Sequence, residues 1–71
     1  MKSKLEIGDL VKIRCEVSGH NGMIGEVIGI RYGKLRSGKA DFIFRIKFSK
    51  RDVMQFDSRQ VMYVKPEDAA N

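Results

Sequence analysis

The amino-acid sequence predicts an all-β fold, a small barrel of five short strands with a single helical turn before the last one. Apolar and polar residues alternate with a period of two along most of the chain, and no segment has a helical apolar period of useful length. The chain has 71 residues, enough for one domain. An open sheet of this size would expose an apolar face and two unpaired edges, so we expect the sheet to close on itself.

The five strands follow from where this alternation begins and ends. Each is rich in β-branched or aromatic residues and is bounded by turn residues such as Gly, Asn, Asp and Ser. A flexible basic connector over 33–40 separates the second strand from the third, and a helical turn over 57–60 precedes the last. The predicted strands cover residues 9–16, 23–32, 41–48, 53–56 and 61–64. Pro66 ends the last strand, so we predict a barrel over 1–65 and a flexible C-terminal tail over 66–71.

The second strand contains glycines, and the third strand has an apolar face, that refine the prediction. Gly25 and Gly29 lie inside the second strand, where glycine indicates a sharp bend or the close approach of another backbone. The third strand alternates most regularly, and its apolar face predicts the wall of the core. That face carries Phe42, Phe44, Ile46 and Phe48. Five strands in this order, with a charged connector after the second, are typical of the SH3-like barrel.

Composition restricts the function. The chain has 14 Lys and Arg against 9 Asp and Glu, a formal charge of +5 that favours polyanionic partners. A single cysteine excludes an internal disulfide, and a single histidine leaves no Cys/His cluster for zinc. Charges interrupt every apolar stretch near the N-terminus, so we expect a cytoplasmic protein without a signal peptide or membrane partner. With no catalytic, metal-binding or cofactor-binding constellation, we predict that the protein is not an enzyme.

Two segments in the first half of the chain resemble the KOW motif. Residues 7–13 read Ile-Gly-Asp-Leu-Val-Lys-Ile, and residues 19–27 read Gly-His-Asn-Gly-Met-Ile-Gly-Glu-Val. This motif occurs in SH3-like barrels of ribosomal large-subunit proteins and bacterial transcription elongation factors. The resemblance implies an RNA-binding module, or one associated with transcription or translation. The long basic extensions of the ribosomal members are absent.

A weaker similarity connects the chain to small accessory barrels such as photosystem I reaction centre subunit IV. Those proteins also open with a Gly-x-x-Val-x-Ile strand, which here covers residues 8–13. They bind proteins, and this resemblance therefore implies a protein partner. Their aromatic loop is replaced here by Gly-His-Asn-Gly over 19–22.

The basic connector and the third strand form the candidate binding surface. No acidic residue lies between Glu26 and Asp41, and such segregated positive charge attracts a phosphate backbone. Tyr32 can stack on a base. Leu35 and Ile43, if both are exposed, would instead form the apolar spot of a protein-docking surface. The predicted binding residues are Arg31, Tyr32, Lys34, Leu35, Arg36, Lys39, Ile43, Arg45 and Lys47.

Two hypotheses remain open. The first is a non-catalytic barrel that binds nucleic acid, RNA in preference to DNA, through this surface. The second is a small adaptor, accessory subunit or phage-type inhibitor that docks on an acidic face of a larger protein. We expect His20 to be a neutral surface residue without a partner, and Cys15 to be a small buried apolar residue. Nothing in the sequence determines the oligomeric state.

Overall fold

A computed structural model describes residues 4–69 and shows one five-stranded antiparallel sheet. The strands are β1 (Leu10–Ile13), β2 (Ile24–Lys34), β3 (Ala40–Ser49), β4 (Asp52–Asp57) and β5 (Val61–Val64), and the short helix α1 (Pro66–Ala69) follows them. Their order in the sheet is β4-β3-β2-β1-β5. A single turn precedes β5, in which the N–H of Gln60 donates to the carbonyl of Asp57 at 3.1 Å. The all-β prediction is confirmed, and the strand order is consistent with an SH3-like barrel.

One face of the sheet encloses a single apolar core. Val61 of β5 packs against this core, so all five strands contribute to it. A sheet whose strands all contact one cluster must curl around that cluster. We call the face that carries the core the inner face and the opposite face the outer face. The buried core residues are Val11, Ile13, Val27, Phe44, Ile46 and Phe56.

Both glycines inside β2 have the structural roles that their positions predict. A Cβ atom on Gly25 would lie 2.5 Å from Cγ2 of Ile46 and 2.9 Å from the carbonyl oxygen of Lys47. Only glycine allows β2 and β3 to approach so closely at this point. The pairing of β2 with β3 then shifts between Val27 and Gly29, which is a β-bulge. A bulge bends its strand and increases the local twist, as a small barrel requires.

Strand β1 is shorter than predicted, because its last predicted residues form turns. The N–H of Ser18 donates to the carbonyl of Cys15 at 3.0 Å, which closes a turn directly after β1. The side-chain oxygen of Asn21 accepts the N–H of Cys15 at 2.9 Å. These local hydrogen bonds replace the ladder that a longer strand would have formed.

Strands β2 and β3 are longer than predicted, and the connector between them is correspondingly shorter. The N–H of Leu35 donates to the carbonyl of Lys39 at 2.7 Å, so most of the predicted flexible connector is a closed hairpin. Gly38 has a φ of +93°, the left-handed conformation that glycine accepts without strain. At the other end of the chain, α1 occupies residues 66–69 of the predicted tail and has no buried residue.

The predicted core wall on β3 is correct in its centre and different at its ends. Phe44 and Ile46 are buried and Phe48 is half-buried, but the side chain of Phe42 is 46% exposed. The pairing of β3 with β4 begins at Ile43, so Phe42 lies beyond the end of the neighbouring strand. The alternation in the sequence shows which face Phe42 occupies, but it does not show where β4 ends.

Candidate nucleic-acid interface

Six of the nine candidate residues lie on a two-stranded extension of the sheet. The pairing of β1 with β2 extends only as far as Glu26, and that of β4 with β3 only to Ile43. Among residues 4–69, the segment 31–42 is therefore paired in the sheet only within itself, from Tyr32 opposite Phe42 to Lys34 opposite Ala40, apart from Arg31 at its base, which pairs with Ile43. We call this segment the hairpin arm. It exposes both faces and its tip to a ligand.

The tip of the hairpin arm is strongly basic. Lys34, Arg36 and Lys39 are exposed there. The nearest acidic residue along the chain is Asp41, whose carboxylate accepts the hydroxyl of Ser58 at 2.7 and 2.8 Å. This hydrogen bond from Ser58 is the main cause that lowers the pKa of Asp41 below its ordinary value of 3.8. Asp41 is thus already engaged at the base of the arm.

Three further candidates, Arg31, Ile43 and Arg45, share the outer face. Arg31 lies opposite Ile43 and donates from Nη2 to the side-chain oxygen of Gln55 at 3.2 Å. Arg45 lies opposite Gly29, and the absence of a side chain there leaves room for its aliphatic stem. These residues line a shallow hollow of about 180 Å³. Its two guanidinium groups are suited to contact phosphates or carboxylates.

The inner face of the hairpin arm is aromatic. Tyr32 is 65% exposed, and its ring meets the ring of Phe42 nearly edge-to-face, with centroids 5.0 Å apart. Phe42 in turn lies 6.4 Å from Phe44, in a nearly parallel orientation. The alternation in the sequence predicts Phe42 in the core, so Phe42 is not among the predicted binding residues. A comparison of strand lengths could have identified it. The predicted third strand, 41–48, is longer than the predicted fourth strand, 53–56, so some of its residues must lie beyond the end of that strand.

Two predicted residues fit the site less well. Lys47 lies opposite Glu26 across β2 and β3, so its charge is opposed locally and it is remote from the tip. Leu35 is half-buried, as is Ile43 of the outer face. The nine candidates therefore divide between the tip, the outer face and the inner face, rather than forming one continuous surface.

His20 has partners, and the prediction that it has none is wrong. Its Nε2 lies 2.8 and 2.9 Å from the two carboxylate oxygens of Asp52. A carboxylate only accepts, so Nε2 carries the hydrogen of this bond. The ring also stacks on Phe48, with centroids 4.4 Å apart. Asp52 is 32 residues away in the sequence, and local patterns do not reveal a contact of that separation.

Cys15 agrees better with its prediction. It is half-buried and packs against the core, and the side-chain amide of Gln60 lies 3.4 Å from its sulfur. Within the described part of the chain, no three His, Cys, Asp or Glu residues are grouped so that they could hold a metal ion. No helix among the described residues is long and apolar enough to cross a membrane.

Comparison of the chain with protein-family models, curated proteins and solved structures finds no match in any of the three. The KOW resemblance and the SH3-like assignment thus rest on residues 7–27 and on the strand order.

Proposed function

We propose that this protein is a non-catalytic module that binds nucleic acid, RNA in preference to DNA, through the hairpin arm. The observation that carries the proposal is the arm itself, a projecting hairpin whose tip exposes three cations. The preference for RNA, and a place in transcription or translation, come from the KOW resemblance.

The physical basis of binding is phosphate neutralisation. Lys and Arg side chains on a projecting hairpin can approach a polyanion without steric hindrance from the rest of the domain. Each contact with a phosphate releases condensed counterions, which makes the affinity depend steeply on salt. The guanidinium groups of Arg31 and Arg45 extend this field along the outer face. Contacts of this kind position a nucleic acid without reading its sequence.

A charge-matched pair of variants tests the proposal. In the arm variant Arg31, Lys34, Arg36 and Lys39 become Ser, and in the control variant Lys12, Arg14, Arg51 and Lys65 become Ser. All eight residues are exposed, and each variant loses two Lys and two Arg. The assay titrates each protein into labelled single-stranded RNA and duplex DNA at several salt concentrations.

The arm variant is expected to bind more weakly than the control variant. If all four side chains contact phosphates of a single strand, the slope of log affinity against log salt should fall by up to about 3. The control variant should keep most of the wild-type slope. Equal binding by the two variants would show that only net charge matters, and the proposal would then be wrong.

A second candidate function, docking on an acidic face of a larger protein, is favoured by a separate surface. On the outer face, Ile24 and Met62 flank Lys12 in one row across β2, β1 and β5. Their side chains are 41% and 43% exposed. Apolar groups around a cation are suited to an acidic partner with an apolar centre. Ile24→Asp combined with Met62→Asp should abolish capture of such a partner while the protein remains folded.

A further inference from the structure

We infer that the inner face of the hairpin arm binds the unpaired bases of a single strand, by stacking on Tyr32 and Phe42. This inference rests on the proposed function and specifies its ligand as single-stranded. The observation behind it is the juxtaposition of two exposed aromatic rings, an adjoining apolar groove and the basic tip.

Packing of the core does not require the apolar residues on the inner face of the hairpin arm to be exposed. Tyr32 is 65% exposed, Phe42 46% and the neighbouring Ile30 37%. An edge-to-face contact covers a face of only one of its two rings, so most of Tyr32 and nearly half of Phe42 remain open. Contiguous apolar surface of this kind on a small soluble domain marks a binding site.

An apolar groove continues from Phe42 toward the core. It encloses about 590 Å³, within the range of pockets that hold small ligands. Phe44, which is 5% exposed, lies at its inner end, and Lys4 and Ser58 supply polar groups. The groove is therefore mainly apolar, with a few polar groups, as a planar heterocycle requires. Its other lining residues are Leu5, Ile30, Phe42, Val61 and Tyr63.

The charge around the rings specifies a polyanionic ligand. Lys34 follows Tyr32 by two residues on the same strand and thus lies on the same face, about 7 Å away along β2. Arg36 and Lys39 lie just beyond it at the tip. Aromatic rings beside a row of cations are the arrangement by which proteins hold single-stranded nucleic acid, with bases on the rings and phosphates on the cations. A protein ligand would need no such separation of rings and cations.

The unpaired state of the ligand follows from the geometry of stacking. The faces of bases inside a duplex are covered by neighbouring bases and cannot reach a side-chain ring. Only a single strand, a loop or an end offers free base faces. The rings should therefore contribute to binding of single strands and not of duplexes, whereas the cations contribute to both.

The test compares Tyr32→Leu with Tyr32→Phe on a 12-nucleotide RNA and on its duplex at physiological salt. Tyr32→Leu retains an apolar side chain but removes the ring, and should weaken single-strand binding by about 5- to 100-fold. Tyr32→Phe retains the ring and should bind like the wild type. Duplex binding should change by less than about twofold in both variants, because it depends on phosphate contacts. Melting temperatures equal to that of the wild type will show that both variants are folded.

A direct readout uses the wild-type protein, in which comparison with Tyr63→Phe identifies the resonances of Tyr32, since the chain has two tyrosines. Its Tyr32 ring proton resonances should shift upfield on addition of the single strand and stay in place with the duplex. Unchanged resonances and equal affinities of Tyr32→Leu and wild type would overturn the stacking inference. If the arm variant still bound more weakly than the control variant, the proposed function would stand without the stacking inference. If the wild type bound no single strand at physiological salt, both the proposed function and the stacking inference would be wrong.

Discussion

Gly25→Ala offers the sharpest test of how this barrel is packed. The added methyl carbon would lie 2.5 Å from Cγ2 of Ile46 and 2.9 Å from Cδ1 of Phe48. Carbon atoms in favourable contact are about 3.5–4.0 Å apart, so the neighbours would have to move by roughly 1 Å. The methyl would also lie 2.9 Å from the carbonyl oxygen of Lys47, a backbone atom that cannot rotate away.

Relief of this overlap requires β2 and β3 to separate where both contribute to the core. Overpacking of this kind typically costs about 1–3 kcal/mol. In a domain of this size each 1 kcal/mol lowers the melting temperature by about 4–8 °C. We therefore expect the free energy of unfolding of Gly25→Ala to fall by about 1–3 kcal/mol and the melting temperature by roughly 5–20 °C.

The measurement is thermal and urea unfolding followed by circular dichroism, with Gly19→Ala as the matched control. Gly19 is exposed, and no atom lies within 4 Å of the position of its Cβ. Its alanine variant should be as stable as the wild type, or slightly more so because the unfolded chain loses freedom. If Gly25→Ala melted within about 2 °C of Gly19→Ala, well below the shift expected for such a cost, the close approach of the two strands would be refuted.

Two further predictions concern the contacts of His20 and Asp41. His20→Ala should lower the free energy of unfolding by about 1–2 kcal/mol, because it removes both the ring stack and the hydrogen bond to Asp52. His20→Phe keeps the ring stack, so its free energy of unfolding should fall by less than that of His20→Ala in the same urea titration. A larger fall would contradict the contribution assigned to the stack. The lowered pKa of Asp41 means that its stabilising effect is present above pH 3.8 and is lost as the pH falls through the lower pKa of the folded state. The free energy of unfolding of Asp41→Asn, measured from pH 2 to 5, should therefore fall less at the acid end than that of the wild type. Equal dependence of the two proteins on pH would argue against the Ser58 contact.

The strands were predictable from the sequence because their period of two reflects a local property of the backbone. The last strand has the predicted bounds, 61–64, and Gly25 and Gly29 have the predicted roles. The lengths of the other strands were less predictable, because they depend on the partner strand. Thus β1 ends early where Asn21 offers a competing hydrogen bond, and β2 continues to Lys34 because β3 remains paired with it.

Dependence on partner strands also limits how much of the candidate site can be predicted from the sequence. The cations of the arm were predictable from composition, since no acidic residue interrupts them. Their division between two faces and a tip depends on the bulge after Val27, which changes the register of the following residues. The exposure of Phe42 depends on where β4 ends, a property of another segment of the chain.

The position of β5 in the sheet has a consequence for synthesis of the protein. Val11 pairs with Tyr63, and Ile13 with Val61, so the first strand of the sheet has its outer partner in the last. During translation β1 leaves the ribosome early and lacks this partner until residues 61–64 have emerged. The β2–β3 hairpin is local and can form within microseconds of its emergence, about 1–10 μs for a hairpin. The core can close only afterwards, so the β2–β3 hairpin with its basic arm can form before the sheet is complete.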